Sequence, residues 1–151
     1  MWRDRLAVQV ATLFGAGCLP KAPGTWGTVV TLPFAWLVAQ AGMLWYGVVL
    51  FLLTLLGCWA TTFACRHFQR QDPSQVVVDE AAGVMVALLF VPEGWAWWLV
   101  AFVLFRFFDI VKPWPVNWLD RALPSPWGVM ADDVAAGLYA GLCMTVLSRI
   151  I

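Results

Sequence analysis

The chain has 151 residues, 62% hydrophobic and 12% charged, with nine Lys/Arg against nine Asp/Glu and a mean hydropathy of +0.80. So few charges cannot solvate a globule of this size, which excludes an ordinary soluble enzyme and points to a single membrane-embedded domain over residues 1–151. The balanced charge removes the basic footprint of a nucleic-acid binder, and Cys18, Cys58, Cys65 and Cys143 show neither a disulfide framework nor zinc-ligand spacing.

At the N-terminus, Arg3 and Arg5 precede the apolar run LAVQVATLFGAG, the outline of a signal peptide or of a lipoprotein leader ending at Cys18. Gln9, Thr12 and Gly15 interrupt that outline, so the expectation is a short interfacial helix with its arginines toward lipid headgroups. Five apolar blocks follow, at 26–40, 44–65, 76–91, 95–111 and 133–148. They lack strand alternation, and only helices satisfy the backbone within lipid, so the predicted fold is an all-α integral membrane bundle with four or five membrane-embedded helices. Only 44–65 reaches the length of about 20 residues that crosses a bilayer comfortably. The shorter blocks call for tilt, thinning or a partly re-entrant path, and Pro33 is positioned to kink the first.

Positive charge orients this bundle. If each block crosses once, Arg3, Arg5, Lys21, Arg66, Arg70, Arg106, Lys112 and Arg121 share one side, leaving only Arg149 across the membrane. The shared side is then cytoplasmic, and the C-terminus periplasmic.

The carboxylates are placed more tellingly than solubilising charge would be. Asp79 and Glu80 open the third block in VVVDEAAG, Asp109 ends the fourth in FRFFDIVKPWP, and Asp132 and Asp133 open the fifth in GVMADDVAAG. The topology brings all five to the cytoplasmic end of the bundle. Carboxylates bordering lipid are costly, so they are expected to face inward and pair with cations or metal. Asp79 and Asp132 could serve as helix N-caps, but capping leaves their acidic neighbours and Asp109 unexplained. A set of oxygen donors without histidine or thiolate suits a hard cation, Mg²⁺ or Mn²⁺. Arg106 and Lys112 lie three residues either side of Asp109, on one helical face, and are candidate phosphate binders.

The segment Leu19–Thr28, LPKAPGTWGT, is a second polar island. Its glycines, Gly24 among them, let backbone amides approach a phosphate, with Lys21, Thr25 and Thr28 as side-chain donors; a plain turn into the membrane is the simpler alternative. His67 is the only histidine, which removes a two-histidine phosphatase mechanism. Cys143 and Arg149 match a Cys-x5-Arg spacing, but the residues between them read as apolar helix rather than an anion cradle. Gly137 and Gly141 form a small-xxx-small pair, explained by helix packing and a candidate homodimer contact.

In their order and spacing, PGTWGT, VVVDEAAG, FRFFDIVKPWPVNWLDR and GVMADDVAAG resemble the bacterial phosphatidylglycerophosphatase A family from about Phe14 to Gly141. Val78 stands where some relatives have tryptophan, and Thr28 where serine is common; neither departure removes a carboxylate. The resemblance implies an all-α, Mg²⁺-dependent phosphatase of the inner membrane. Its lipid substrate is phosphatidylglycerophosphate, and its products are phosphatidylglycerol and inorganic phosphate. It assigns Asp79, Glu80, Asp109, Asp132 and Asp133 to the metal and catalytic site, with Lys112 and Arg106 on the phosphate. Attack by water or by an aspartate is left open. The competing expectation is a small transporter or ion-conducting subunit with intramembrane carboxylates. A CDP-alcohol phosphotransferase is set aside because its DGxxAR…GxxxD pattern is absent.

Overall fold

A computed structural model describes residues 2–151, and among them every regular element is helical. The helices are α1 (Trp2–Ala11), α2 (Pro23–Gln40), α3 (Met43–Phe68), α4 (Val78–Leu88), α5 (Trp95–Val111), α6 (Val116–Ala122) and α7 (Trp127–Ile150), with a 3-10 turn at Ala16–Cys18. All five expected blocks are helices. α6, lying in the expected loop after the fourth block, is an addition.

The boundaries differ where the chemistry lies. Pro23 begins α2, its fixed φ and missing N–H suiting the first helical position. The PGT of the polar island is therefore the first turn of α2 rather than a loop before it. α7 begins at Trp127, so Asp132 and Asp133 lie in its second turn and neither caps it. Asp79 is likewise inside α4, whose N-cap is Val77 without a side-chain cap bond. The capping explanation thus fails at both helices.

α4 is the axis of the molecule. From Val78 to Leu88 every residue except Glu80 is buried, and α2, α3, α5 and α7 all pack on it. Its 11 residues span about 16 Å, short of a bilayer core. An apolar helix enclosed on all sides gives the same hydropathy as a membrane span, which is why composition cannot separate the two. Two helices, α3 and α7, are long and apolar enough to cross a membrane, and the expected count of four or five embedded helices is not confirmed. Outward-facing Phe51, Leu52, Leu55 and Leu56 on α3, Val103, Phe107 and Ile110 on α5, and Leu142 and Val146 on α7 leave a broad apolar exterior. Such a surface needs a lipid or protein cover.

Small residues set how closely the helices approach. A Cβ at Gly83 would meet the Phe105 ring and the Asp133 carbonyl; one at Gly137 would meet the Gly83 carbonyl. Gly141 lies against the Phe90 ring. The Gly137/Gly141 face is therefore filled within the chain by α4 and Phe90, which corrects its expected role as a homodimer contact. α1 is docked, not merely interfacial: its buried Ala7 and Ala11 join Ala60 and Ala64 of α3 in one cluster. The Ala11 carbonyl accepts the Val77 N–H at 2.9 Å, tying α1 to the start of α4.

Candidate active site

α4, α5 and α7 deliver their carboxylates to one cavity of about 250 Å³. It is lined by Asp72, Asp79, Glu80, Asp109, Asp120, Asp132 and Asp133, with Arg106 and Lys112 as its cations and Gly24 on its wall. Seven carboxylates against two cations leave a formal excess of five negative charges if all are ionised. Asp79, Asp132 and Asp133 are buried. Gly57, near the middle of α3, lies against the Val78 and Met130 side chains.

Arg106 joins two helices. Its Nη1 lies 2.5 Å from Asp109 Oδ2, one turn on along α5, and 3.2 Å from Glu80 Oε1 on α4. Lys112 behaves differently from the expectation of a shared face with Asp109. It terminates α5 in the left-handed conformation, φ 45°, its N–H reaching the Phe108 carbonyl at 2.9 Å. That turn aims the ammonium away from Asp109, to Asp132 Oδ2 at 2.5 Å and Asp120 Oδ2 at 3.2 Å. Loss of water lowers the Lys112 pKa, but the bonds and charges of Asp132 and Asp120 outweigh it, so the ammonium is held above its ordinary value.

Asp72 and Asp120 were not among the expected site residues. Asp72 stands at the rim, where the surrounding chain removes enough water to raise its carboxyl pKa; Lys112 opposes this, and Asp120 and Asp109 add to it. The signal for Asp120 was its place in the motif FRFFDIVKPWPVNWLDR, and for Asp72 its place in the loop just before VVVDE. Neither borders an apolar block, so the cost of a carboxylate beside lipid did not single them out. Gly24 lines the cavity because a Cβ there would strike the Glu80 carboxylate. Lys21 and Thr25 are outside the cavity lining, and Thr28 is buried with its hydroxyl donating to the Gly24 carbonyl at 2.8 Å.

Two carboxylate oxygens, Asp79 Oδ1 and Glu80 Oε2, are buried without a hydrogen-bond partner, as is Arg106 Nε. Orphaned anionic oxygens amid excess negative charge fit a hard divalent cation, and an orphaned guanidinium N–H fits an anion. Among the described residues no three of these side chains already form a closed metal-ligating group. The remaining candidates fall elsewhere. His67 makes an edge contact with Phe68, and Cys143 and Arg149 lie in unbroken α7 helix without an anion cradle between them.

The family model described as Phosphatidylglycerophosphatase A matches residues 9–148. The chain is similar to a Haemophilus influenzae protein named phosphatidylglycerophosphatase A, 38% identical over 87% of this chain and 82% of that one. An Escherichia coli protein of the same name is 33% identical over 87% of this chain and 77% of its own length. A Bacteroides thetaiotaomicron protein, 39% identical over 97% of this chain and 96% of its own, carries the provisional name phosphatidylinositol-3-phosphatase. No solved structure matches. With the four motifs in order, their carboxylates around one cavity and the family match over most of the chain, the protein belongs to the phosphatidylglycerophosphatase A family.

Proposed function

We propose that this protein is a membrane-embedded phosphatase that hydrolyses the terminal phosphomonoester of phosphatidylglycerophosphate to phosphatidylglycerol and inorganic phosphate, with Mg²⁺ as cofactor. The observation that carries this reading is the pair of orphaned oxygens, Asp79 Oδ1 and Glu80 Oε2, in a cavity lined by seven carboxylates and two cations. The names of the Haemophilus influenzae and Escherichia coli relatives support the lipid substrate.

In this reading Asp79, Glu80, Asp109, Asp132 and Asp133 hold the cation. Bound there, Mg²⁺ supplies charge for the phosphoryl oxygens and Lewis acidity. Arg106 and Lys112, now held by carboxylates, are placed to turn toward the phosphate and offset charge developing in the transition state. A cavity carboxylate takes the proton of the attacking water, the bond between phosphorus and the glycerol oxygen breaks, and the resulting carboxylic acid returns that proton to the leaving glycerol oxygen. The Gly24 backbone borders the phosphate position, whereas Lys21 and Thr25 of the same segment, outside the cavity lining, take no part in this reading. The one-sided distribution of Lys and Arg supports an inner-membrane, multi-pass placement with the cavity facing the cytoplasm. Transport is not favoured, because these acids gather in one cavity with two cations instead of lining a path through the membrane.

The test is phosphate release from phosphatidylglycerophosphate by detergent-purified protein, with Mg²⁺ or EDTA, for wild type, Asp79→Asn and Asp109→Asn. Release requires Mg²⁺, and either variant lowers kcat by roughly a hundredfold or more. Folded wild-type protein that releases no phosphate with any divalent metal would refute the reading, and Asp109→Asn retaining a tenth of the activity would remove Asp109 from the site. Trapping a hydroxylamine-sensitive phospho-enzyme would replace water attack by aspartate attack.

A further inference from the structure

Three arginines outside the acidic cavity are left without a role by the proposed chemistry. Arg66 at the end of α3 and Arg70 in the loop after it line a cavity of about 420 Å³ with Thr62, Gln69, Gln71 and Ser125. Arg121 lines an adjoining cavity of about 640 Å³. Gln71 and Ser125 belong to both, and Asp72, Asp120 and Val129 belong to the second and to the acidic cavity, so the three form one continuous depression. The C-terminal part of α3 and the α6–α7 connection form the walls of this vestibule.

The charge pattern divides it. All four ion pairs described lie in the acidic cavity, each involving Arg106 or Lys112. Among the described residues Arg66, Arg70 and Arg121 form no ion pair with a carboxylate; Arg66 is only stacked over the Phe63 ring, 5.9 Å from its centroid. Two unpaired guanidiniums on one concave wall, beside the side-chain amides of Gln69 and Gln71, offer fork-shaped donors that match a tetrahedral oxyanion, while the Thr62 and Ser125 hydroxyls are already bonded to the Cys58 carbonyl and Cys65 Sγ. Asp72 and Asp120 stand between that wall and the carboxylates, so an anion is repelled from the middle and held at the arginine end.

We propose that the Arg66/Arg70 pocket is a second phosphate-binding site, joined to the catalytic cavity by the Gln71–Ser125 vestibule and serving a phosphate other than the one being hydrolysed. The ligand chemistry is a phosphate oxyanion, from either the phosphodiester of the lipid headgroup or the orthophosphate leaving the reaction. The inference rests on the proposed phosphatase activity for its purpose, but not for its binding chemistry.

The first measurement is binding of inorganic phosphate to the full-length, detergent-purified protein in EDTA, by titration calorimetry. Without divalent cation the acidic cavity repels phosphate, so binding reports the arginine pocket. Wild type binds, and Arg66→Gln/Arg70→Gln with an unchanged melting curve binds at least about tenfold more weakly. If the double variant does not fold, Arg70→Gln alone carries the test. Unchanged affinity in the folded variant, or no binding by wild type, overturns the proposal.

Kinetics then separate the two sources. A lipid-substrate KM raised about tenfold, with the KM for glycerol 3-phosphate unchanged, identifies the phosphodiester. An unchanged lipid KM with product inhibition by phosphate weakened about tenfold identifies the leaving orthophosphate. If neither changes, the pocket has no part in turnover and the proposal fails. Should wild type release no phosphate from any substrate, the proposed activity fails while the EDTA titration still decides whether this site exists.

Discussion

The Lys112 ammonium lies 2.5 Å from Asp132 Oδ2, across twenty residues of sequence, because Lys112 leaves α5 in the left-handed conformation while Asp132 sits in the second turn of α7. This contact ties the end of one helix to the buried face of another, and Asp120 completes it at 3.2 Å from the other side of the ammonium. Lys112 therefore compensates buried negative charge, and in the proposed reaction it has a second job, at the substrate phosphate.

Replacing Lys112 by Met separates these jobs. Asp132 is left buried without its cation, and because Lys112 is partly solvated the expected cost is about 1–3 kcal/mol. The melting temperature falls by several degrees, and kcat falls by roughly a hundredfold. Lys112→Arg recovers most of the melting temperature but not the rate, since a planar fork does not reproduce a point charge. Full activity in Lys112→Met, measured by phosphate release, would exclude Lys112 from the chemistry.

A methyl group at Gly24 tests the cavity wall. Its Cβ would strike the Glu80 carboxylate, forcing that side chain from its place beside Arg106. Gly24→Ala lowers kcat by about tenfold or more with a small change in melting temperature. Gly137→Leu, by contrast, overpacks the α4–α7 contact and lowers stability by about 1–3 kcal/mol or more. Equal effects of the two variants on rate and melting would contradict this division between site and scaffold.

If the cavity holds a divalent cation as proposed, that cation stabilises the fold as well as serving the reaction. Seven carboxylates meet two cations in the cavity, and a ligand bound only by the folded state stabilises it by about 2.7 kcal/mol at a hundred times its Kd. The melting temperature rises with Mg²⁺ concentration, and Asp79→Asn flattens that rise. A Mg²⁺-independent melting curve in wild type would count against a cation site here.

Membrane orientation is testable at the C-terminus. If the cavity faces the cytoplasm as proposed and α7 crosses once, Ile151 emerges in the periplasm. A C-terminal alkaline phosphatase fusion is active and the matching green fluorescent fusion is dark. The reverse pattern would invert the orientation or remove a crossing.

Much of this was legible in the sequence because it is local chemistry. The apolar composition required helices and an apolar exterior, and the five blocks located five of the seven helices among the described residues. Asp79, Glu80, Asp109, Asp132 and Asp133 stood out because carboxylates beside apolar runs are costly unless they have partners, and the structure places all five in one cavity. The Arg106–Asp109 pair was likewise fixed by helical spacing, three residues apart on one turn.

Tertiary structure decided what depends on residues distant in the chain. Hydropathy cannot tell a helix surrounded by protein from one surrounded by lipid, and only packing showed α4 to be enclosed. Only the fold gave Lys112 to Asp132 and Asp120, because one left-handed residue redirects a side chain that helical spacing alone would have put beside Asp109. Packing also filled the Gly137/Gly141 face from within, and brought Asp72 from a loop and Asp120 from α6 to the cavity. The reason is common to all four: period and composition fix which face of a helix is apolar, while burial, charge pairing and close backbone approach depend on what another part of the chain places against that face.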